Sequence, residues 1–310
     1  MLATAPQRRD KAISPMKWDD LRHASNIIKP ASYLKRPFGI HRAFYPYFEK
    51  DYLNKLSLPQ ALATVLHTVF PNKFEIFYKV QPNGIGTNEL TKLKKAEGKK
   101  RGSKLQIIGP LGRGIDIKEI RTHGFEEIHV IGGGVGMAPL IFIVQALRYY
   151  SYPVKAFIGT QNIGMLKYPD SLSQSFEEKD ATIYINDLFD LGIDKSDIRV
   201  STLTVDKIDH MIPTRNQYQG LVTDQYRQFL KAARSQKKIL AFACGPMGMM
   251  KALVQTAEEF DIQLKVLMEK RMACGIGVCL SCVCETKTGE GNYSRVCTDG
   301  PIFNASEIIW

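Results

Sequence analysis

Four of the six cysteines are spaced as ligands of an iron–sulfur cluster. The pattern C-x4-C-x2-C-x14-C is typical of plant-type 2Fe–2S sites, and it is formed by Cys274, Cys279, Cys282 and Cys297. Gly275 and Gly277 allow the backbone to approach such a cluster and to donate amides to its sulfur atoms. A zinc site and buried structural thiols remain alternatives, although zinc sites more often contain paired C-x2-C knuckles. Cys284 lies outside this set and is predicted to be a non-ligand thiol.

Two glycine-containing turns could hold a dinucleotide. The turns IGGGVGMAPL (131–140) and ACGPMGMM (243–250) each join a predicted strand to a predicted helix. Both should lie at the carboxyl edge of one parallel sheet, where helix N-termini offer free N–H groups to phosphates. The candidate residues are Gly132, Gly133, Gly134, Val135, Gly136, Cys244, Gly245, Pro246 and Met247. Tight strand–helix packing is an alternative reason for the glycines, and Cys244 also fits a core thiol.

A nicotinamide and a 2Fe–2S cluster require an intermediate between them. The nicotinamide releases two electrons as a hydride, whereas the cluster accepts one electron at a time. A flavin can take the hydride and release the electrons singly. This chemistry needs no acid, base or nucleophile, so no catalytic residue is predicted.

The surrounding pattern predicts three regions. Short strands with glycine and proline punctuation, from 33 to about 117, indicate a small antiparallel sheet or barrel with one helix near 58–69. From 127 onward the strand, helix and strand at 127–133, 138–150 and 154–160 predict a parallel α/β layer, which strands at 181–186 and 238–244 continue. Residues 188–220 are polar and irregular, and are interpreted as an insertion or an extra helix pair. The segment from 269 is too short to form its own core.

The C-terminal motif resembles a known family. EKRMACGIGVCLSCVCET, followed by VCTDGPIF, is similar to the electron-transfer subunit of NAD-dependent (class B) dihydroorotate dehydrogenase, in the ferredoxin reductase superfamily. A related group of transhydrogenase small subunits replaces one ligand by Asp, whereas here all four are Cys. The resemblance covers roughly 33–310. It implies an irregular segment at 1–32, an FAD-binding barrel at 33–120, an NAD-binding α/β domain at 121–268 and a 2Fe–2S module at 269–310.

The resemblance also implies an FAD site in the N-terminal region. RPFG resembles the flavin motif RPxS, and FYKV resembles the strand beside the isoalloxazine. GIGT resembles a phosphate-binding turn, and GPLG (109–112) resembles the hinge to the next domain. The implied residues are Arg36, Pro37, Phe38, Gly39, Tyr78, Lys79, Val80, Gly86 and Thr87. Two features depart from the family: Gly39 replaces Ser or Thr, and the region before Arg36 is short for a complete barrel. RPFG therefore also fits an ordinary strand start, and FAD retention stays open.

The resemblance further implies that the two glycine turns face the nicotinamide, with Cys244 and Gly245 holding the ring near the flavin. No arginine pair that could bind a 2′-phosphate follows the second strand, and the acidic residue of the Rossmann fingerprint is also lacking. The family favours NADH, while Lys167 leaves NADP open.

Composition narrows the function classes. The chain has a formal charge of +11. Its content of 44% hydrophobic residues is ordinary for a globular protein. Much of the excess charge lies in a lysine-rich stretch at 92–104, which lacks interleaved aromatics and is predicted to be a solvated loop rather than a nucleic-acid site. The apolar stretch 128–147 contains four glycines and a proline, which argues against a membrane span. Without a secretory signal, the protein is expected in the cytoplasm, where clustered cysteines indicate metal rather than disulfides.

These observations predict an electron-transfer subunit that links NAD(H), FAD and a 2Fe–2S cluster to a partner oxidoreductase subunit. In the resembled family the partner is a flavin-containing catalytic subunit of a hetero-oligomer in pyrimidine biosynthesis. A stand-alone reductase for an oxygenase or small carrier is an alternative. A flavin-less redox-sensing module and a nucleic-acid binder are the others.

Overall fold

A computed structural model describes residues 40–44, 73–76, 85–93, 108, 111–162, 183–204, 212–233 and 237–310. The helices are α1 Ile85–Thr91, α2 Ile117–His123, α3 Met137–Tyr149, α4 Ile183–Asp190, α5 Val222–Ala233 and α6 Met247–Glu259. The strands are β1 Ile40–Phe44, β2 Lys73–Ile76, β3 Glu127–Gly133, β4 Val154–Thr160, β5 Ile198–Thr202, β6 Gln217–Gln219, β7 Ile239–Cys244, β8 Gln263–Leu267, β9 Val283–Glu285, β10 Tyr293–Arg295 and β11 Ile302–Asn304.

The centre of the fold is a seven-stranded sheet in the order β11-β8-β7-β3-β4-β5-β6. Neighbouring strands from β8 through β6 pair in parallel, and β11 joins β8 antiparallel. Strands β3 and β7 are buried along almost their whole length, as expected for central strands covered on both faces. The predicted parallel α/β layer is thus confirmed.

Two hydrophobic cores cover the two faces of this sheet. One core contains residues of α3 and α4, including Ile141, Leu147 and Leu188. The other contains residues of α5 and α6, including Tyr226 and Leu253. The helices therefore hold the sheet rigid from both sides, which fixes the strand ends at its carboxyl edge.

A strand was predicted at 181–186, but the residues described there, from Ile183 onward, form the start of α4. Tyr184, Ile185 and Leu188 are all buried, and in a helix these spacings place them on one face. In a strand Tyr184 and Ile185 would point to opposite faces. The short apolar run is compatible with the two-residue period of a strand and with the 3.6-residue period of a helix. Burial of these side chains in the core favours the helix.

The polar stretch 188–220 is not an insertion outside the sheet. It contains β5 and β6, which extend the parallel sheet beyond β4. Strand β5 reads IRVST, and its polar residue Ser201 is fully buried because its hydroxyl donates to Gln225 Oε1 at 2.7 Å. A buried polar partner thus allows a core strand whose sequence lacks a continuous apolar run.

The predicted barrel is described only in part. β1 and β2 form an antiparallel pair in which Ile40 lies opposite Ile76. Of the predicted turn GIGT, the described residues Ile85, Gly86 and Thr87 lie instead in the first turn of α1. The predicted helix near 58–69 lies outside the described residues, so the complete barrel stays a prediction.

The C-terminal module shares its core with the sheet. Cys282, Val296, Phe303 and Ile308 belong to the same hydrophobic core as α5 and α6. The segment that was judged too short to form its own core therefore shares the core of the sheet, because β11 adds it directly to the sheet through β8. Within the described ranges, none of the helices combines the length and apolar character that crossing a membrane requires.

Candidate functional site

The first three cluster cysteines lie on one tight loop. Its backbone enters the left-handed region at Gly275 (φ 73°), Gly277 (φ 81°) and Leu280 (φ 56°). Glycine adopts this conformation without steric cost, whereas Leu280 does so at some strain. The repeated reversals curl residues 274–282 around a common centre.

Backbone amides in this loop donate to sulfur. The N–H groups of Ile276 and Cys279 both point at Cys274 Sγ, with N–S distances of 3.4 Å. The amide of Gly277 donates to Cys297 and opposes the rise that burial causes in its pKa. Amides directed at thiolates are what an iron–sulfur cluster needs, since hydrogen bonds to sulfur set its potential.

The four thiols form two pairs. Cys274 and Cys279 interact through their side chains, and so do Cys282 and Cys297. A 2Fe–2S cluster takes two protein thiolates on each iron, so two pairs match the number of ligands that it needs. Over the described residues, no group of three or more His, Cys, Asp or Glu side chains is arranged to hold a metal ion.

The two pairs differ in exposure. Cys279 is exposed and Cys274 is partly exposed, whereas Cys282 and Cys297 are 2% and 3% exposed. The Ser281 hydroxyl lies 3.2 Å from Cys279 Sγ. Together with hydrogen bonds involving the backbone of Ser281 and with Cys274, it lowers the pKa of that thiol to about 6. Amide donors from Ile276 and Cys279 lower the pKa of Cys274. We call Cys274 and Cys279 the outer pair. Their lowered pKa values favour the thiolate form, which is the form that binds iron.

Cys284 has a different environment from the four paired thiols. It is buried on β9 and its thiol donates to the carbonyl of Ser294 on β10, at 3.6 Å. Burial raises its pKa, so it stays a neutral thiol. These contacts support its interpretation as a non-ligand.

Three large apolar side chains of the cluster loop are exposed. Ile276, Val278 and Leu280 are 61%, 75% and 46% exposed, and we call them the apolar rim. Ile276 and Val278 lie between Cys274 and Cys279 in the sequence, and Leu280 directly follows Cys279, so the loop that carries the exposed thiols also carries an apolar surface.

The two glycine turns lie side by side at the carboxyl edge of the sheet. Strands β3 and β7 are neighbours, and Gly132 is directly opposite Cys244. A Cβ on Gly136 would overlap the carbonyl of Cys244, and one on Gly245 would lie 3.1 Å from the backbone of Gly133. Close packing of the two turns therefore accounts for these glycines, whether or not a ligand is bound.

Gly134 differs from the other glycines of this edge. It has φ 56°, and a Cβ there would meet nothing within 4 Å. The space above it is open. Val135, the next residue, is 37% exposed, and Met247 at the start of α6 is 47% exposed. Helix α6 begins here after Pro246 without a side-chain cap, so its first amides are available to a ligand.

Cys244 is held as a neutral thiol at this edge. Burial, with a smaller contribution from the charge of Glu269, raises its pKa to about 12. It packs against the core formed by α3 and α4 but retains partial exposure at the strand end. It can therefore contact a bound ring as a small apolar group.

The expected hinge contacts the cluster loop. Leu111 Cδ1 lies 3.2 Å from the position of a Cβ on Gly275, and the amide of Arg113 donates to the carbonyl of Gly300. Neither contact was predicted from the sequence. Ser281 was missed as well, although its place between two ligands was a usable signal.

The predicted flavin residues are distributed unevenly. Gly86 and Thr87 lie in α1. The others lie outside the described residues and stay predictions; they are Arg36, Pro37, Phe38, Gly39, Tyr78, Lys79 and Val80.

A family model and two relatives agree on one group. A family model described as the iron–sulfur cluster binding domain of dihydroorotate dehydrogenase B matches residues 269–309. The dihydroorotate dehydrogenase B (NAD(+)) electron transfer subunit of Clostridium perfringens is 30% identical over 226 residues, 73% of this chain and 72% of that protein. The subunit of the same name from Listeria monocytogenes is 30% identical over 233 residues, 75% of this chain and 74% of that one. A solved structure of NADH-dependent reduced ferredoxin-NADP oxidoreductase is similar with a TM-score of 0.53 and 25% identity, over 76% of this chain and 69% of that one.

Proposed function

The chain belongs to the family of electron transfer subunits of dihydroorotate dehydrogenase B, and on this premise we propose that it passes electrons between NAD(H) and a partner oxidoreductase subunit. FAD and a 2Fe–2S cluster would be its carriers. One observation carries the proposal. Four cysteine thiols form two pairs in a module that is attached to the parallel sheet, and the carboxyl edge of that sheet holds the two glycine turns. One chain would thus join a one-electron centre to a dinucleotide site.

The cluster would be held by Cys274 and Cys279 on one iron and by Cys282 and Cys297 on the other. This assignment follows the two observed thiol pairs. When bound, the cluster supplies a site that gains and loses one electron. The amides of Ile276, Cys279 and Gly277 would stabilise the reduced state, because they donate to ligand sulfur.

NAD(H) would bind across the ends of β3 and β7. Gly134 leaves room for the backbone to approach the dinucleotide, and the free amides at the start of α6 suit its phosphates. The remaining members of the two turns, Gly132, Gly133, Val135, Gly136, Gly245, Pro246 and Met247, would shape this edge. Cys244 would contact the nicotinamide ring as a neutral thiol.

FAD would lie between the N-terminal strands and this edge, and would divide hydride transfer into single-electron steps. Support comes from the hinge, since Leu111 contacts Gly275 next to the first cluster ligand. The expected connection from the flavin domain to the α/β domain therefore passes beside the cluster loop. We assign the FAD-binding domain to 33–120, the NAD-binding domain to 121–268 and the cluster module to 269–310.

The partner would meet the chain at the apolar rim. Cys279 is exposed there, so an electron can leave the cluster with little protein in between. The partner's chemistry follows from the family: a flavin-containing subunit that oxidises dihydroorotate, in pyrimidine biosynthesis.

The test is anaerobic purification of the full chain, followed by assays of iron, sulfide and FAD. Absorption spectra are then recorded before and after NADH. We expect two irons, two sulfides and one FAD per chain, all bleached by NADH. Zinc in place of iron would overturn the proposal, and a cluster without FAD would overturn its flavin part.

A further inference from the structure

A cavity of about 460 Å³, a volume typical of small-molecule sites, lies beside the cluster module. Asn304 of β11 and Lys265 of β8 are paired in register, so their side chains lie on the same face of the sheet, and both line the cavity. Phe242 of β7 and Ile120 of α2, each 1% exposed, supply its apolar part. Within the described residues, neither the cluster cysteines nor the two glycine turns contribute to the lining. The cavity is therefore separate from the cluster and dinucleotide sites.

The walls of the cavity come from two parts of the chain. The segment 113–116 and α2 form one side, and residues of the cluster module, including Ser294 and Asp299, form the other. A smaller cavity of about 260 Å³ shares Arg113, Ser294 and Asp299 with it. A ligand in the larger cavity would therefore touch both the α/β layer and the cluster module.

One buried acceptor in the lining has no partner. Asn304 Oδ1 is buried, and no group in the described part of the chain donates a hydrogen bond to it. The amide nitrogen of Asn304 donates to Glu307 Oε1 at 2.9 Å. Because an ionised carboxylate can only accept, this bond fixes which side of the amide faces Glu307, and the oxygen cannot take the place of the nitrogen. An unpaired buried oxygen is unfavourable, so it calls for a ligand that brings an N–H or O–H donor.

The charge of the lining favours a cation. Of its six charged side chains, four are carboxylates and two are cations: Asp116, Glu119, Asp299 and Glu307, with Arg113 and Lys265. Lys265 binds Glu119 at 2.6 Å, and Asp299 binds Arg295 at 3.0 Å. Within the described chain, no cation pairs with Asp116 or Glu307. The lining therefore presents two carboxylates whose charge is not balanced by an ion pair.

These two carboxylates lie at different depths. Asp116 is exposed at the start of α2, where one of its oxygens accepts from the amide of Glu119 at 3.0 Å. Glu307 is half-buried and hydrogen-bonded to Asn304, next to the unpaired oxygen. A ligand that satisfies both needs one cationic donor inside the cavity and another at its mouth.

We propose that this cavity binds a small aliphatic diamine or polyamine. The inner ammonium group donates to Asn304 Oδ1 and to the Glu307 carboxylate, and the outer ammonium group pairs with Asp116. Ile120 and Phe242 contact the methylene chain between them. The inference goes beyond the proposed electron transfer and does not depend on it, since the binding residues hold none of the carriers.

The experiment is isothermal titration calorimetry on the full chain, with putrescine and spermidine as probes. We expect saturable binding of one amine molecule per chain, which weakens as ionic strength increases. Butane-1,4-diol has the length of putrescine but no charge, and it should not bind measurably. Butylamine lacks the second ammonium group and should bind roughly tenfold more weakly than putrescine. Equal affinity for butylamine would refute the contact with Asp116, and equal affinity for the diol would refute recognition of charge.

Two variants test the inner contacts. Asn304→Leu removes the unpaired oxygen, and Glu307→Gln removes the charge but keeps an acceptor for the Asn304 amide. Each should weaken putrescine binding by roughly tenfold or more. Without ligand, Asn304→Leu should unfold near the wild-type temperature, because loss of the bond to Glu307 is offset by removal of an unpaired buried oxygen. A large drop in that temperature would instead assign Asn304 a purely structural role.

Glu285→Gln is the matched control, since it removes an exposed carboxylate of the same module on β9, outside the cavity lining. It should bind putrescine like the wild type. The proposal is refuted if neither amine binds the wild-type chain, which would leave the unpaired oxygen to water. It is also refuted if Asn304→Leu and Glu307→Gln bind putrescine as tightly as Glu285→Gln does.

Discussion

Leu111 packs against Gly275, with its Cδ1 atom 3.2 Å from the position that a Cβ on this glycine would take. Leu111 belongs to the GPLG segment expected to connect the flavin domain to the α/β layer. Gly275 directly follows the cluster ligand Cys274. The expected flavin hinge therefore lies beside the cluster loop.

Gly275→Ala should impair assembly of the cluster. The substitution places a Cβ on a residue with φ 73°, which costs about 1–2 kcal/mol, and presses it against Leu111. We expect a lower iron content per chain and a weaker visible absorption. Gly114→Ala is the control, since a Cβ there meets nothing within 4 Å. A wild-type iron content in Gly275→Ala would show that cluster assembly does not require the left-handed backbone conformation at this position.

Cysteine-to-serine substitutions should distinguish the cluster ligands from the non-ligand Cys284. Cys279→Ser removes a thiolate from the exposed pair, so the chain should lose its iron but keep its thermal stability in the apo form. Cys284→Ser should keep two irons, although burying a hydroxyl beside β10 lowers stability by about 1–3 kcal/mol. Iron analysis and thermal unfolding of apo and loaded protein distinguish these results. Iron loss in Cys284→Ser, with the fold intact, would make Cys284 a ligand.

Ser281→Ala should make the cluster harder to reduce. The substitution removes the hydroxyl that lies 3.2 Å from Cys279 Sγ. One lost hydrogen bond of about 1 kcal/mol corresponds to roughly 40 mV for a single electron. An EPR-monitored redox titration should show the midpoint moving to a more negative potential. Ser281→Thr, which keeps the hydroxyl, is the control and should titrate near the wild type.

Gly136→Ala should disturb the packing of the two glycine turns. The added Cβ would overlap the carbonyl of Cys244, and neither backbone can move without shifting a central strand. We expect a loss of about 1–3 kcal/mol in unfolding free energy, together with weaker NADH binding by calorimetry. Gly248→Ala lies in α6 with open space around it and should not destabilise the fold. Wild-type stability in Gly136→Ala would show that the turns are less tightly packed.

Acid should destabilise the chain through a buried histidine. His129 lies between Glu127 and Tyr226, with Nε2 2.7 Å from Glu127 Oε1 and Nδ1 3.0 Å from the Tyr226 hydroxyl. Burial lowers the pKa of His129, while a hydrogen bond from His129 lowers that of Glu127. The unfolded chain then binds more protons than the folded one below the ordinary histidine value of 6.5, so stability falls as pH decreases. Glu127 adds to the loss below its ordinary value of 4.5.

Urea unfolding between pH 5 and 8 measures this dependence. His129→Gln should flatten the profile near pH 6 because it removes the titrating group. The exposed His123→Gln variant controls for the loss of one histidine. An unchanged slope in His129→Gln would show that other groups cause the acid sensitivity.

The sequence was informative wherever function is carried by local spacing. The cysteine pattern and the strand–glycine–helix transitions around Gly132 and Cys244 could be identified because each involves neighbouring residues. Strand β5 could not be identified from the sequence, since the hydroxyl of its buried Ser201 is hydrogen-bonded to Gln225, which lies on another element. The helix at 183–190 was missed for a similar reason, because the packing of Tyr184 and Leu188 on α3 is a tertiary effect. Contacts such as Leu111 with Gly275 join distant parts of the chain and leave no trace in a local pattern.

The antiparallel addition of β11 to β8 has a consequence for biogenesis. The ligand Cys297 is only five residues before β11, and the intervening turn is tied to Arg113 and Met268. We therefore expect the fourth thiol to reach its place only after β11 has docked on the sheet. We expect iron insertion to be a late event in maturation, when the nucleotide-binding layer has already folded.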